Sequence, residues 1–183
     1  MIAIDHADDH LTVDTIWAWL GEVMDPEVPA VSVVDLGIIR DVQGSVATGW
    51  DVIVTPTYSA CPATEVIAQS IREVLQSNGV EPVRVQTKLS PAWTTDWMTQ
   101  KGREALRRYG IAPPMSIVDG MSSAQVINVA ALNASSNASA IRVPCPKCNS
   151  RKTRLLSQFG STACKALYQC SDCLEPFDYF KPH

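Results

Sequence analysis

Two Cys-x-x-Cys pairs constrain this chain more than any other feature: Cys145-Pro146-Lys147-Cys148 and Cys170-Ser171-Asp172-Cys173. Each pair suits a tight turn that presents two thiolates, and two such turns facing each other complete a tetrahedral sulfur site for one ion. The 21 residues between the pairs slightly exceed the roughly 15–20 usual for this spacing. A further cysteine, Cys164, lies inside that gap as an alternative ligand. The pattern predicts a small zinc ribbon over 141–183 holding one structural Zn²⁺, a module too small to fold on apolar burial alone. A Cys-ligated iron–sulfur cluster is the secondary option.

Charge is unevenly spread. Residues 1–110 carry 15 acidic and 8 basic side chains, whereas residues 143–183 carry 3 acidic and 6 basic. Four thiolates on one Zn²⁺ bring the tail close to neutral, which argues against nucleic-acid binding through a basic patch. Met1 to His10 is acidic without an apolar core and reads as neither a secretory signal nor a mitochondrial presequence. No apolar run approaches the ~20 residues of a membrane span. Paired cysteines without an export signal point to a reducing compartment, so a cytoplasmic, membrane-free protein is expected.

The three histidines, His6, His10 and His183, all lie at the extreme ends. The body therefore lacks a Ser-His-Asp triad, a Glu-x-x-His di-iron site and a histidine-ligated catalytic zinc. Gly-x-Gly-x-x-Gly and P-loop fingerprints are absent too. Most familiar enzyme mechanisms therefore lack their parts here, and no catalytic residue is assigned.

Ahead of the ribbon, periodicity predicts α-β-β-α-β-α. The first helix starts with Asp14 as N-cap and buries Ile16, Leu20, Val23 and Met24. Residues 32–42 and 46–55 read as a hairpin turning at Gln43-Gly44-Ser45. Pro62 opens a second helix that Asn78-Gly79 closes. A strand spans 83–89, and a third helix runs from about Thr94 to Tyr109. The expected class is α+β, a two-layer domain over 12–110. A Ser/Asn/Ala-rich linker over 111–140 follows, with a short strand at 125–130, before the ribbon.

Cys61 is the sharpest chemical candidate in the first domain. It leaves a strand and enters a helix, with Pro62 at the first helical position. Free helix-end amides there would stabilise a thiolate and lower its pKa, with Thr57 and Thr64 adding hydroxyls. The plain alternative is a buried structural cysteine. Asp25 and Glu27 follow a helix end and read either as polar site residues or as a solvated turn. Asp35 sits in an apolar run and must be hydrogen-bonded whatever its role. Lys101, Arg103, Arg107 and Arg108 make the third helix basic, and dipole compensation explains them most simply.

Asp25-Pro26-Glu27-x-Pro29, Val33-Val34-Asp35-Leu36-Gly37-Ile38-Ile39 and Thr57-x3-Cys61-Pro62 resemble the small domain of bacterial SufT-like proteins. The eukaryotic cytosolic iron–sulfur targeting subunit shares that domain, and the likeness covers about 14–110. Residues 90–98 (SPAWTTDWM), 102–114, 159–170 and 175–181 resemble the PaaD family of phenylacetate-degradation proteins, called PaaJ in some bacteria, over most of the chain. That resemblance implies an accessory or maturation factor for the multicomponent phenylacetyl-CoA epoxidase, assisting iron–sulfur or iron-centre assembly in a partner. It makes Cys61 the functional thiol, surrounded by Asp25, Glu27, Asp35 and Thr57, to which the local sequence adds Thr64. It implies epoxidase subunits or the iron–sulfur reductase subunit as partners, and it admits a homodimer and a transient iron–sulfur cluster. The alternatives are a structural or electron-transfer subunit of the epoxidase and a zinc-ribbon docking adaptor with Cys61 inert.

Overall fold

The computed structural model describes residues 11–115 and 143–182. The chain divides into two compact units between Leu106 and Arg107, each with its own core.

The first unit opens with helix α1, Val13–Leu20. Thr12 caps it, its side chain accepting the Thr15 N–H at 3.2 Å. Asp14, the expected cap, stands instead in the first turn, where its charge favours the helix dipole. Ile16 and Leu20 are fully buried, as the period requires. Strands β1 (Ile39–Ser45) and β2 (Gly49–Val54) form an antiparallel hairpin, with Val42 opposite Val52 and Ser45 opposite Gly49. Helix α2, Ala63–Ser77, then crosses to β3, Val83–Thr87, which pairs parallel to β2. The sheet order is β1-β2-β3. Ile67, Ile71 and Leu75 supply the buried face of α2. Gly79, at φ +77°, ends the helix in the left-handed region that a side chain would resist. A short 3₁₀ turn, Thr95–Trp97, precedes helix α3, Gln100–Tyr109. The α+β class and its element order are thus as the sequence predicts.

Two expectations need correction. The hairpin turns at residues 46–48 and not at Gln43-Gly44-Ser45, which lie within β1. Mutual Ser45 and Thr48 hydrogen bonds close that turn. The β-branched run from 32 also does not enter the sheet until Ile39. The Ser32 hydroxyl accepts the Asp35 N–H at 3.0 Å, and the Leu36 N–H bonds the Ser32 carbonyl at 2.9 Å. A local side-chain bond of this kind offers the backbone a turn in place of a strand, and here it overrides β propensity.

That turn is fastened to the start of α3. Asp35 accepts from Thr99 Oγ1 at 2.8 Å and Ser32 Oγ at 3.0 Å, and pairs with Lys101 at 3.0 Å. A Cβ on Gly102 would lie 2.6 Å from the Asp35 carbonyl oxygen, so only glycine permits this approach. Asp35 is hydrogen-bonded, as a carboxylate in an apolar run must be. Burial opposes its ionisation, but the Thr99, Lys101 and Ser32 contacts outweigh it and hold the pKa below the ordinary value. Asp35→Ala is expected to cost about 1–3 kcal/mol of first-unit stability, the usual loss when bonded buried groups lose a partner. The lowered folded-state pKa fixes the sign of the pH effect. The contribution is complete above about pH 4, the unfolded carboxyl range, and fades as pH falls through the folded-state value. The stability difference between wild type and Asp35→Ala in urea melts should therefore be smaller at pH 3 than at pH 7.

The second unit contains a three-stranded antiparallel sheet, β4 (Thr153–Ser157), β5 (Lys165–Cys170) and β6 (Pro176–Phe180), in that order. Its core is small: Ala112, Val143, Cys145, Ala166, Cys170, Phe177 and Tyr179. Ala112, expected in the linker, bridges Tyr179 and exchanges backbone bonds with β6: its N–H bonds the Asp178 carbonyl, and its carbonyl accepts the Phe180 N–H. The strand expected at 125–130 lies outside the described residues.

Candidate functional site

Two sites emerge, one in each unit. In the second, the turns at 145–148 and 170–173 bring four sulfurs within 4.8 Å of one another. Cys145 and Cys173 Sγ are 3.7 Å apart, and Cys148 and Cys170 Sγ are 3.5 Å apart. A tetrahedral ion with metal–sulfur bonds of about 2.3 Å places sulfurs ~3.8 Å apart, so the donor set fits. The electrostatics ask for a cation. Amide N–H groups of Cys173 and Asp172 point at the Cys170 sulfur and, against the opposing cost of burial, bring its pKa down to about 7. The Ser150 amide favours a thiolate at Cys148, but burial and the three neighbouring sulfurs outweigh it and push that thiol up to about 12. Four thiolates cannot share this space until a metal neutralises them. The group has the geometry to hold a metal ion. Cys164, the alternative ligand, bonds Thr162 Oγ1 at 3.0 Å and stands outside the four.

Braces across the two turns were not visible in the spacing. Ser150 Oγ donates to Asp172 at 2.6 Å, Lys152 pairs with Asp172 at 3.2 Å, and Lys147 pairs with Glu175 at 2.9 Å. Each ties a residue in or beside one cysteine turn to a residue in or beside the other.

In the first unit, Cys61 lies in the loop between β2 and α2, half-buried. Pro62 takes the cap position with α2 starting at Ala63, one residue later than expected. The Cys61 N–H bonds the Tyr58 carbonyl at 3.2 Å, and the Cys61 carbonyl accepts from Thr64 Oγ1 at 2.8 Å. The Ala63 amide points at the sulfur as the cap geometry predicts, yet the thiol pKa is raised. Burial is the largest cause, and the charges of Glu27 and Asp25 add to it, against the Ala63 amide and the Thr64 contact. The expectation of a lowered pKa is therefore reversed in sign, by burial first and then by carboxylates of a different loop.

The charges of Glu27 and Asp25 thus act on the Cys61 thiol. Asp25, 8% exposed, also closes its own loop: Oδ1 accepts the N–H groups of Glu27 and Val28, both at 2.8 Å. The turn at Asp25 is therefore self-closed and buried at this residue, and not a solvated one. Thr57 is 8% exposed and lines an adjoining cleft of about 400 Å³ with Thr55, Tyr58, Leu89 and Trp93. Asp35 belongs to the α3 fastening described above. Lys101 and Arg103 serve the same region, Arg103 donating to the Thr95 carbonyl at 2.6 Å. Neither acts as dipole compensation at the helix C-terminus; Arg107 and Arg108 occupy the last turn.

The raised pKa has a measurable consequence. Cys61 should react with iodoacetamide at pH 7 more slowly than an unperturbed cysteine of pKa ~8.5. Replacing Asp25 by Asn and Glu27 by Gln together should accelerate it several-fold, because both carboxylates oppose the thiolate while Asn keeps the loop-closing acceptor. Peptide mapping of the alkylated chain reads this rate, and a slower reaction in the double variant would contradict it.

Among the described residues, the four ribbon cysteines are the one group of three or more potential ligands gathered closely enough to hold an ion. Cys61, Asp25 and Glu27 do not form such a group.

Comparisons with known proteins agree with this division. Residues 13–86 match the family profile described as iron-sulfur cluster assembly protein. Residues 131–181 match the PaaD zinc beta ribbon domain. The chain is 48% identical over 169 residues to an Escherichia coli K12 protein named as a subunit of the "Putative 1,2-phenylacetyl-CoA epoxidase", covering 92% of each. It is 34% identical over 91 residues to an "Fe-S protein maturation auxiliary factor" of Porphyromonas gingivalis, covering 49% of this chain and 86% of that one. Among solved structures, a Bacillus anthracis domain of unknown function, DUF59, is 28% identical with a TM-score of 0.48, covering 51% of this chain and 89% of that one.

Proposed function

The chain belongs to the PaaD family, and on that premise we propose that it is an accessory maturation factor for a 1,2-phenylacetyl-CoA epoxidase, delivering iron to a partner subunit. The observation that carries this reading is the half-buried Cys61 thiol at the entry to α2, where the charges of Glu27 and Asp25 reach it. The names of the two relatives support it, one an epoxidase subunit and the other a maturation factor.

The electrostatics favour a cationic cargo. Two carboxylates disfavour a free thiolate and would repel sulfide or a persulfide anion, but they attract a cation. When Fe²⁺ arrives, it takes the place of the thiol proton. The S–H bond breaks, an Fe–S bond forms and one proton leaves to water, with no change of oxidation state. The carboxylates that kept the thiol protonated then offset the charge of the metal. Transfer onward reverses the step as the client's own ligands take the iron. The threonines and Trp93 of the neighbouring cleft flank the route by which a client segment would approach.

In this reading the ribbon ion is Zn²⁺ and structural, because four sulfurs leave no open coordination position. The protein works in the cytoplasm alongside the epoxidase and its iron–sulfur reductase. It does not itself turn over a small molecule.

A second reading, a stoichiometric non-catalytic subunit of the epoxidase, draws on the name of the E. coli relative. Deleting the chain separates the two. Maturation predicts epoxidase and reductase that assemble without it but lack iron, and activity restored when iron is loaded in vitro. A subunit role predicts full iron content and activity restored only by adding the chain back.

A further inference from the structure

The ribbon exposes more apolar surface than its core requires. Phe159 is 65% exposed and Leu155 is 46% exposed. Together with Ala166, Tyr168, Tyr179 and Lys181 they line an open groove of about 210 Å³. Leu155 and Tyr168 are cross-strand partners, as are Ala166 and Tyr179, so the groove continues the face that carries the ribbon core. Tyr168 and Tyr179 meet edge to face at 5.6 Å, giving it a rigid aromatic wall. Its volume is below the roughly 300–1,000 Å³ of small-molecule and cofactor pockets and suits a single large side chain.

Its charge is equally specific. The three ribbon carboxylates are each paired: Asp172 with Lys152, Glu175 with Lys147, and Asp178 with Lys165. Of the six ribbon cations in 143–182, Arg151, Arg154 and Lys181 remain with no carboxylate partner among the described residues. Lys181 is the one charged group lining the groove. Its ammonium sits 4.7 Å above the Phe159 ring and 3.4 Å from the Gln158 carbonyl oxygen, beside the apolar floor. The cysteine site does not neutralise it. The Lys181 N–H bonds the Cys164 carbonyl, at the opposite end of β5 from Cys170. That is roughly 20 Å along the strand, more than twice the ~8 Å screening length at physiological salt.

We infer that this groove is the docking site for a segment of a partner protein that places a large apolar side chain between Phe159 and Tyr168 and an Asp or Glu carboxylate on Lys181. The apolar contact excludes water from the ion pair, and the pair fixes which segment is accepted. The choice of partner rests on the reading that the chain serves the epoxidase system. The docking itself does not involve Cys61.

The test uses the full zinc-loaded chain with the purified other subunits of the 1,2-phenylacetyl-CoA epoxidase and its reductase as the probe. Phe159 is replaced by photoreactive benzoylphenylalanine, and crosslinks are mapped by mass spectrometry. They should fall on one segment of a partner that has an Asp or Glu within a few residues. Lys181→Glu and Phe159→Ala should each weaken binding about tenfold or more, as a central contact does, while Lys181→Arg stays within twofold of wild type. Zinc content and thermal unfolding should match wild type in all three. A Cys61→Ser chain should crosslink normally, so failure of the maturation reading leaves this result intact. Crosslinks to a second copy of the chain, to a segment without a carboxylate, or to nothing would overturn the inference. Wild-type binding by Lys181→Glu or Phe159→Ala would do the same.

Discussion

A chain carrying Cys148→Ser is expected to lose its metal and the fold of residues 143–182 together, while the first unit stays folded. The ribbon core comprises seven residues, two of which, Cys145 and Cys170, are members of the sulfur cluster. Ordering some forty residues costs about 1–2 kcal/mol each in backbone entropy alone, which so small a core cannot offset. Structural zinc in comparable modules contributes about 10–16 kcal/mol of apparent binding free energy. The effect should therefore be the largest of any single substitution in this chain. The first unit has its own interior around Ile16, Leu20, Val52, Ile71 and Leu75, all fully buried. Hydrogen exchange should show fast amides across β4–β6 and unchanged protection in α2 and β2. A chelator acting on the wild type should give the same pattern reversibly. Full metal occupancy in Cys148→Ser would remove that residue from the ligand set.

The four-cysteine cluster was legible in the sequence because its information is local. A Cys-x-x-Cys turn carries two ligands within four residues, and two turns define one site. Element order was legible for a similar reason: Ile67, Ile71 and Leu75 mark one helix face by spacing alone. What escaped depends on chain segments far apart. Asp35 was expected beside the thiol, but its side-chain partner Thr99 lies 64 positions onward, and no period announces such a contact. The Cys61 environment failed in an instructive way. The helix amide beside Cys61 was read correctly from neighbouring residues, though the helix starts one residue later than expected, and it argues for a thiolate. Burial and the charges of Asp25 and Glu27 then reverse the sign. A helix-end amide acts on a thiol in any fold, whereas the field of two carboxylates exists only once the 25–31 loop is closed by Asp25 onto its own backbone. The strand misread at 32–38 has the same origin on a smaller scale. The Ser32 hydroxyl bonds the Asp35 N–H and turns the backbone before Val33 and Val34 can extend.

The second large effect belongs to Cys61. Cys61→Ser should leave the chain folded, because the loop is held by backbone bonds and by the Thr64 hydroxyl on the Cys61 carbonyl, none of which needs the sulfur. Zinc content should be unchanged, since the sulfur cluster is built from other residues. Iron handling should be abolished, because a serine hydroxyl does not release its proton to Fe²⁺ near neutral pH as a thiol does. Asp25→Asn with Glu27→Gln should fall between the two: the thiol remains, ionises more easily, but loses the charges that attract a cation. Such a chain should bind Fe²⁺ more weakly while alkylating faster, a divergence that a purely structural role for the carboxylates would not produce.

The most direct measurement is the iron content of epoxidase and reductase purified from phenylacetate-grown cells whose only copy of this chain carries Cys61→Ser, compared with wild type at equal partner abundance. The account predicts that partners from the variant cells assemble, contain substoichiometric iron and regain activity on loading with Fe²⁺ in vitro. Full iron content in those partners, with normal growth on phenylacetate, would contradict it and leave Cys61 as a residue of the loop alone.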